Sequence, residues 1–112
     1  MSQITTHVLD TSAGRPAAGI KAGLFFLENT LWKMIAEGIT NNDGRISDLL
    51  NEKESLQPGI YKLKFETGEF FSKSGTDTFY PYAEITFNIT DTGHYHIPLL
   101  ISPFGYTTYR GS

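Results

Sequence analysis

The alternation of apolar and charged side chains in IYKLKFET, residues 60–67, constrains the fold more than any other stretch. Successive side chains of a β-strand point to opposite faces, so this stretch predicts a strand with one buried and one solvated face. Residues 83–90 alternate in the same way and predict a second such strand. Half-buried strands must be covered by another layer, which favours a β-sandwich.

Turn signals and one short helical stretch divide the rest of the chain into similar pieces. The strongest turn signal is Asp43-Gly44, because glycine accepts a positive φ without steric cost. Thr67 is predicted to cap a helix through residues 68–73, which Gly75 ends. Further strands are predicted at residues 4–10, 21–28 (apolar on both sides and therefore central), 31–37 and 94–102, and from Ile46 onwards.

Together these elements predict an all-β fold, an antiparallel β-sandwich of seven to eight strands with one short helix. A length of 112 residues suits a single domain over residues 1–112. The net charge is −3 and the basic residues are scattered, so we expect no nucleic-acid partner. The sequence has no cysteine, no signal-peptide pattern and no apolar run of about 18 residues, so we expect a soluble, cytoplasmic protein with no membrane partner.

The three histidines are His7, His94 and His96. Residues at i and i+2 of a strand share a face, so His94 and His96 stand side by side. They are either surface residues, zinc ligands together with a third histidine, or acid–base groups that work without metal. A short His-x-His pattern is a weak metal signal, so we expect no metal and no cofactor, and the surface and acid–base alternatives both stay open.

The acid–base hypothesis also needs a cationic group, and arginine can supply it, because a guanidinium can bind an anionic substrate or stabilise an oxyanion. Arg45 directly follows the Asp-Gly turn, where its side chain can reach a pocket, whereas Arg15 lies in a Gly-Arg-Pro loop and is expected in solvent. The sequence contains neither a G-x-S-x-G motif nor a glycine-rich phosphate loop. The common serine-nucleophile and nucleotide-binding classes are therefore excluded.

Three segments carry a resemblance to a known family: ITTHVLDTSAGRPAAGI near the start, NNDGRISDL in the middle and HYHIPLLISPFGYTTYRGS at the end. In this order they resemble the transthyretin-related 5-hydroxyisourate hydrolases of purine catabolism, for which the final YRGS is the most specific mark. The resemblance implies a transthyretin-like sandwich, a homotetramer made of two dimers, and active sites in the cleft between the dimers. It also implies hydrolysis of 5-hydroxyisourate to 2-oxo-4-hydroxy-4-carboxy-5-ureidoimidazoline.

The resemblance also implies the site residues. The hypothesis is that two histidines handle the attacking water and its proton, the arginine holds substrate oxygens, and the C-terminal tail closes the pocket. His94 is expected to lie beyond the cleft in solvent, and the alternative is a supporting position beside the site. The implied catalytic residues are His7, Arg45, His96 and Ser112, and the implied substrate-binding residues are His7, Arg45, Tyr109, Arg110 and Gly111.

Each residue of the tail has an expected role. Tyr109 should pack its ring on the sheet with its hydroxyl towards substrate, and Arg110 should pair with a carboxylate. Gly111 should allow a close backbone approach, and Ser112 should offer a hydroxyl and an α-carboxylate. Two other classes remain open: a carrier of apolar aromatic ligands, disfavoured by these polar groups, and a structural sandwich, which would leave them without purpose.

Overall fold

A computed structural model describes residues 2–112, which form nine strands and one helix. Two of the strands are only two residues long, so seven longer strands carry the fold and the predicted fold class is confirmed. In chain order the elements are β1 (Ile4–Asp10), β2 (Arg15–Pro16), β3 (Lys21–Glu28), β4 (Leu31–Ile39), β5 (Arg45–Ile46), β6 (Gly59–Phe65), α1 (Thr67–Lys73), β7 (Ala83–Ile89), β8 (Tyr95–Ser102) and β9 (Gly105–Thr108).

The first sheet is built around β1. Along its whole length β1 pairs with β8, and the register runs from Ile4 opposite Tyr95 to Asp10 opposite Ile101. The other edge of β1 is shared by β5 and β2, and β9 extends the sheet beyond β8. The pairing of β1 with β8 is parallel, unlike the all-antiparallel arrangement expected. A parallel pair needs a long crossover, and here the whole second sheet lies between the two strands in the chain.

The second sheet has the order β4-β3-β6-β7, and its neighbouring strands are antiparallel. β3 lies between β4 and β6, so the prediction of a central strand at residues 21–28 is confirmed. In β6 the side chains of Tyr61, Leu63 and Phe65 are at most 1% exposed, whereas Lys62 and Lys64 lie on the opposite face. The alternation in the sequence therefore identified the inner face of this sheet.

One hydrophobic core joins the two sheets. Fully burying a Val, Leu, Ile or Phe side chain contributes about 1.5–3 kcal/mol to the stability of the fold. The core therefore fixes the positions of the two sheets and of the groups at their strand ends. The largest fully buried apolar residues of the core are Ile4 and Val8 of β1, Ile20 just before β3, Leu24 of β3, Tyr61, Leu63 and Phe65 of β6, Ile89 of β7, and Leu99 and Ile101 of β8.

Several element boundaries differ from the predictions. Thr67 is the first residue of α1 and is buried, and Glu66 precedes it without a side-chain cap, so the predicted capping by Thr67 is wrong. The helix ends before Gly75, which has a φ of 71°, as expected. β4 runs two residues beyond Glu37, and β9 was not predicted because its side chains do not alternate in burial. No helix within residues 2–112 is long and apolar enough to cross a membrane.

Candidate active site

The candidate site lies where the first half of β1 meets the start of β8. The parallel register places Thr5 opposite His96 and His7 opposite Pro98. Because Thr5 and His7 are two residues apart on β1, their side chains share one face of the strand. Two segments that are about ninety residues apart in the sequence therefore present their polar groups side by side.

A tight turn brings Arg45 to the same place. Arg45 pairs with His7 in the two-residue antiparallel ladder between β1 and β5. The side chain of Asn41 accepts a hydrogen bond from the Arg45 N–H at 3.0 Å, and the Gly44 carbonyl accepts one from Val8 N–H at 2.7 Å. Gly44 has a φ of 74°, and a Cβ there would collide with the Val8 carbonyl oxygen. The glycine thus lets Arg45 approach β1 closely.

The C-terminal tail reaches the site from the other side of β8. After β9 the chain returns to β8, where the Gly111 N–H donates to the His96 carbonyl at 2.8 Å. A Cβ on Gly111 would lie 2.6 Å from His96 Cδ2 and 3.0 Å from Pro98 Cγ, so only glycine fits without movement. The close approach expected of this glycine is therefore made against the ring of His96.

Two tail residues are placed differently from expectation. The Arg110 guanidinium carbon lies 4.3 Å from the centroid of the Tyr95 ring, and among residues 2–112 this side chain forms no ion pair with a carboxylate. Cation–π stacking of this kind stabilises the tail in place of an ion pair. The side chain of Tyr109 is 61% exposed in the single chain, so it does not pack its ring on the sheet. Both residues line a cavity of about 370 Å³ that also touches His96.

A smaller cavity, of about 200 Å³, brings the predicted groups together. Arg45, His96 and Ser112 all line it, although they belong to three separate parts of the sequence. His7 lies beside the cavity, opposite Arg45 on the neighbouring strand, and is not part of its wall. The lining residues are Thr5, Thr6, Arg45, Ile46, Ser47, His94, His96 and Ser112.

Both half-buried histidines are held towards their neutral forms. The pKa of His7 lies below its ordinary value of 6.5, first because of burial and then because of the Arg45 cation, against opposing contributions from Asp43. The pKa of His96 is also lowered, by burial and then by His94, Arg45 and His7, while a backbone hydrogen bond with Thr5 opposes the shift. A neutral imidazole at pH 7 can accept a proton, which is the requirement for a general base.

Sequence reasoning missed Thr5. Its hydroxyl lies 2.8 Å from Nδ1 of His96 and 2.8 Å from Nε2 of His94. His94 is exposed, as expected, but it lines the cavity and stacks near His96, with ring centroids 6.2 Å apart, so its expected location away from the site is wrong. The spacing of Thr5 and His7 on one strand was the signal that could have revealed Thr5.

A metal-binding arrangement was the other hypothesis for the histidines. Within the described range 2–112, no three His, Asp or Glu side chains are grouped so that they could hold a metal ion. The zinc hypothesis therefore gains no support from ligand geometry, and removal of metal in an activity assay remains its test.

The two-sheet sandwich and its histidine–arginine site define a transthyretin-like protein. This chain belongs to the HIUase/Transthyretin family, whose model matches residues 4–111. It is 46% identical over 114 residues to the 5-hydroxyisourate hydrolase of Mus musculus, covering 99% of this chain and 96% of that protein. It is 44% identical over 117 residues to the 5-hydroxyisourate hydrolase of Ralstonia nicotianae, with complete coverage of both chains.

Solved structures with this fold include both an enzyme and a transthyretin. The 5-hydroxyisourate hydrolase of Klebsiella pneumoniae superposes with a TM-score of 0.86 at 39% identity, covering 97% of this chain and 98% of that chain. Sea bream transthyretin in complex with thyroxine superposes with a TM-score of 0.92 at 30% identity, covering 98% and 95%. The overall fold is thus common to both classes, and the site must distinguish them.

Proposed function

We propose that this chain hydrolyses 5-hydroxyisourate to 2-oxo-4-hydroxy-4-carboxy-5-ureidoimidazoline in purine catabolism, without a metal or other cofactor. The observation that carries the proposal is the cavity in which Arg45, His96 and the C-terminal Ser112 meet, with His7 beside it. Relatives of nearly the same length bear the name of this hydrolase at 44–46% identity. Hydrolysis of a planar, polar heterocycle needs a base, an oxyanion donor and polar recognition, and these side chains supply all three.

In the proposed reaction, a neutral imidazole of the His7–His96 pair takes a proton from water as its oxygen attacks a ring amide carbonyl. The lowered pKa values of both rings keep this form populated near neutral pH. The Arg45 guanidinium donates hydrogen bonds to the oxyanion that develops on the carbonyl oxygen. When the ring C–N bond breaks, the imidazolium returns the proton to the departing nitrogen, and the carboxylic acid left on the carbon loses its remaining proton to solvent to give the carboxylate.

The tail closes the site in this proposal. Gly111 rests on His96 and limits the positions that the imidazole can take, and Ser112 lines the cavity wall. Tyr109 and Arg110 line the adjoining cavity, where they would contact the far side of the substrate. Their proposed role is substrate binding, whereas His7, Arg45, His96 and Ser112 act on the reacting atoms.

A carrier function is the competing proposal, because sea bream transthyretin in complex with thyroxine has the same fold. Pockets for apolar ligands are lined mainly by hydrophobic and aromatic side chains with few polar groups. Here two histidines, an arginine, two threonines and two serines line the 200 Å³ cavity, and Ile46 is the one apolar residue of the lining within residues 2–112. The lining therefore favours hydrolysis of a polar substrate.

We also propose that the chain works as a single domain in a cytoplasmic homotetramer of two dimers. Supporting this, β7 and β9 each end a sheet and leave one strand edge open. Phe79 and Phe104 are 71% and 70% exposed, and Tyr109 is mostly exposed at the site itself. Open edges and exposed aromatic side chains suit contacts between copies. Analytical ultracentrifugation should give the mass of four 12.5 kDa protomers, and a monomer would contradict the assembly.

One assay separates the candidate functions. 5-Hydroxyisourate is generated from urate in situ, and its ultraviolet decay is followed with the intact protein, with a chain that stops after Thr108, and with a chelator. We expect rapid decay with the intact protein, near-background decay with the shortened chain, and no effect of the chelator.

Each other outcome points to a different class. Loss of activity with chelator and its recovery with added zinc would support the zinc hydrolase. Background decay with the intact protein, together with tight binding of thyroxine, would support a carrier.

A further inference from the structure

The Thr5 hydroxyl joins two histidines that the proposed reaction treats separately. It lies 2.8 Å from His96 Nδ1 and 2.8 Å from His94 Nε2, and the two rings are inclined by only 26°. His96 is half-buried at the cavity, whereas His94 is exposed. The hydroxyl thus connects the candidate base to a second imidazole that faces solvent.

The number of protons available makes the two rings depend on each other. A threonine hydroxyl carries one proton and can donate only one hydrogen bond. Thr5 is 6% exposed, and among residues 2–112 its hydroxyl has these two ring nitrogens as its partners. A buried O–H without an acceptor is costly, so the hydroxyl must donate to one ring and accept from the other.

The proposed role of His96 as a base selects one of the two directions. The Thr5 hydroxyl occupies Nδ1 of His96, so Nε2 is the nitrogen left to take a proton from water. Nε2 must then be bare, and the proton of the neutral ring lies on Nδ1 and is donated to the Thr5 hydroxyl oxygen. The hydroxyl proton then points to Nε2 of His94.

We infer that Thr5 is a positioning residue that holds neutral His96 with its proton on Nδ1 and a bare Nε2, and that His94 serves as the acceptor for the Thr5 proton. Nε2 has no hydrogen-bond partner within the described part of the chain and is left free to take a proton from water. The inference rests on the proposed role of His96 as a base. It gives His94 a task that needs no contact with substrate.

The first test reads the tautomer directly and does not depend on activity. Imidazole nitrogen NMR on the full-length protein above pH 7 should show an unprotonated Nε2 and a protonated Nδ1 for His96. In Thr5→Val, which keeps the branched shape but has no hydroxyl, the two tautomers of His96 should both be present. A wild-type His96 that carries its proton on Nε2 would overturn the inference.

The second test measures kinetics with 5-hydroxyisourate. Thr5→Val should lower kcat by ~10- to 100-fold with KM changed by less than about threefold, because the base but not the binding surface is altered. Thr5→Ser should restore kcat to within about threefold of wild type, since it keeps the hydroxyl. Thr11→Val is the matched control, because its hydroxyl bonds the Ile101 carbonyl at 3.0 Å outside the cavity, and we expect no change in kcat.

His94→Phe supplies an independent variant if Thr5→Val does not fold. It removes the acceptor for the Thr5 proton, so His96 should show the same mixed tautomers and kcat should fall. Unchanged kcat in Thr5→Val or His94→Phe, or failure of Thr5→Ser to restore it, would overturn the inference. If the wild-type protein does not hydrolyse 5-hydroxyisourate, the proposed function fails, while the NMR result still decides the role of Thr5.

Discussion

The two sheets use polar side chains in opposite ways. In the second sheet they lie on the outer face, where Lys62 pairs with Glu84 at 2.9 Å and its ammonium group lies 4.4 Å from the centre of the Trp32 ring. In the first sheet the polar residues Thr5 and Thr6 are buried within a strand and are bonded to groups on β8. Buried polar groups are costly unless they are paired, so such a cluster marks a functional region more strongly than surface charge does.

Replacing a histidine of the first sheet should have the largest effect. His96→Asn and His7→Asn should each reduce kcat/KM by ~10²–10⁴-fold, because each removes one of the two proposed acid–base groups. The melting temperature should change little, since both rings are only half-buried. The assay is the decay of 5-hydroxyisourate, with Glu84→Gln on the other sheet as the control. Undiminished turnover in both histidine variants would remove the basis of the role assignment.

The contact between the tail and His96 should give the next largest effect. In Gly111→Ala the new methyl group would lie 2.6 Å from His96 Cδ2 and must displace the ring or the tail. A misplacement of about 1 Å can lower kcat by ~10²-fold. Gly105→Ala is the matched control, because its nearest neighbour would be Ser102 Oγ at an ordinary 3.7 Å. Equal activities of the two variants would show that the seating of the tail does not matter.

The pH dependence should show a smaller but diagnostic change. Because the pKa values of His7 and His96 are lowered from 6.5, the acid limb of kcat/KM should have its midpoint below pH 6.5. The Arg45 cation contributes to both shifts, so the residual activity of Arg45→Gln should show an acid limb at higher pH. A midpoint above 6.5 in the wild type would contradict the expected neutral state.

The same shifts affect folding. The folded protein binds fewer protons at these rings than the unfolded chain does, so their contribution to stability is complete above pH 6.5. It is lost as the pH falls through the lower pKa values of the folded state. Denaturant unfolding measured at several pH values should show this decrease, and it should be reduced in His7→Asn.

The outer face of the second sheet should show the smallest effect. Lys62→Ala removes the pair with Glu84 and the contact with Trp32, which together should lower the free energy of unfolding by about 1 kcal/mol. The value of kcat/KM should not change, because the residue is not part of the site. Lys53→Ala, in an exposed loop, should leave both quantities unchanged. A loss of activity in Lys62→Ala would contradict this expectation and would mean that the outer face of the second sheet affects the candidate site.

Alternation in the sequence was sufficient to predict the inner face of β6, and apolar residues on both faces predicted the central position of β3. The Asp-Gly turn likewise indicated that Arg45 would be held at the start of a strand. Alternation shows which face of a strand is buried but not which strand lies beside it, so the parallel pairing of β1 with β8 could not be predicted. The partners of Thr5 depend on that pairing, because a threonine in an apolar strand has no distinguishing pattern of its own.

The parallel pairing of β1 with β8 has a consequence for synthesis. β1 must wait for β8, which follows it by about ninety residues, and before that its available partners are the two short strands β2 and β5. Contacts between residues so far apart are slow to form because a long loop must close first. The candidate pocket therefore cannot form before β8 has been made, and we expect a nascent chain that lacks β8 to be inactive towards the proposed substrate.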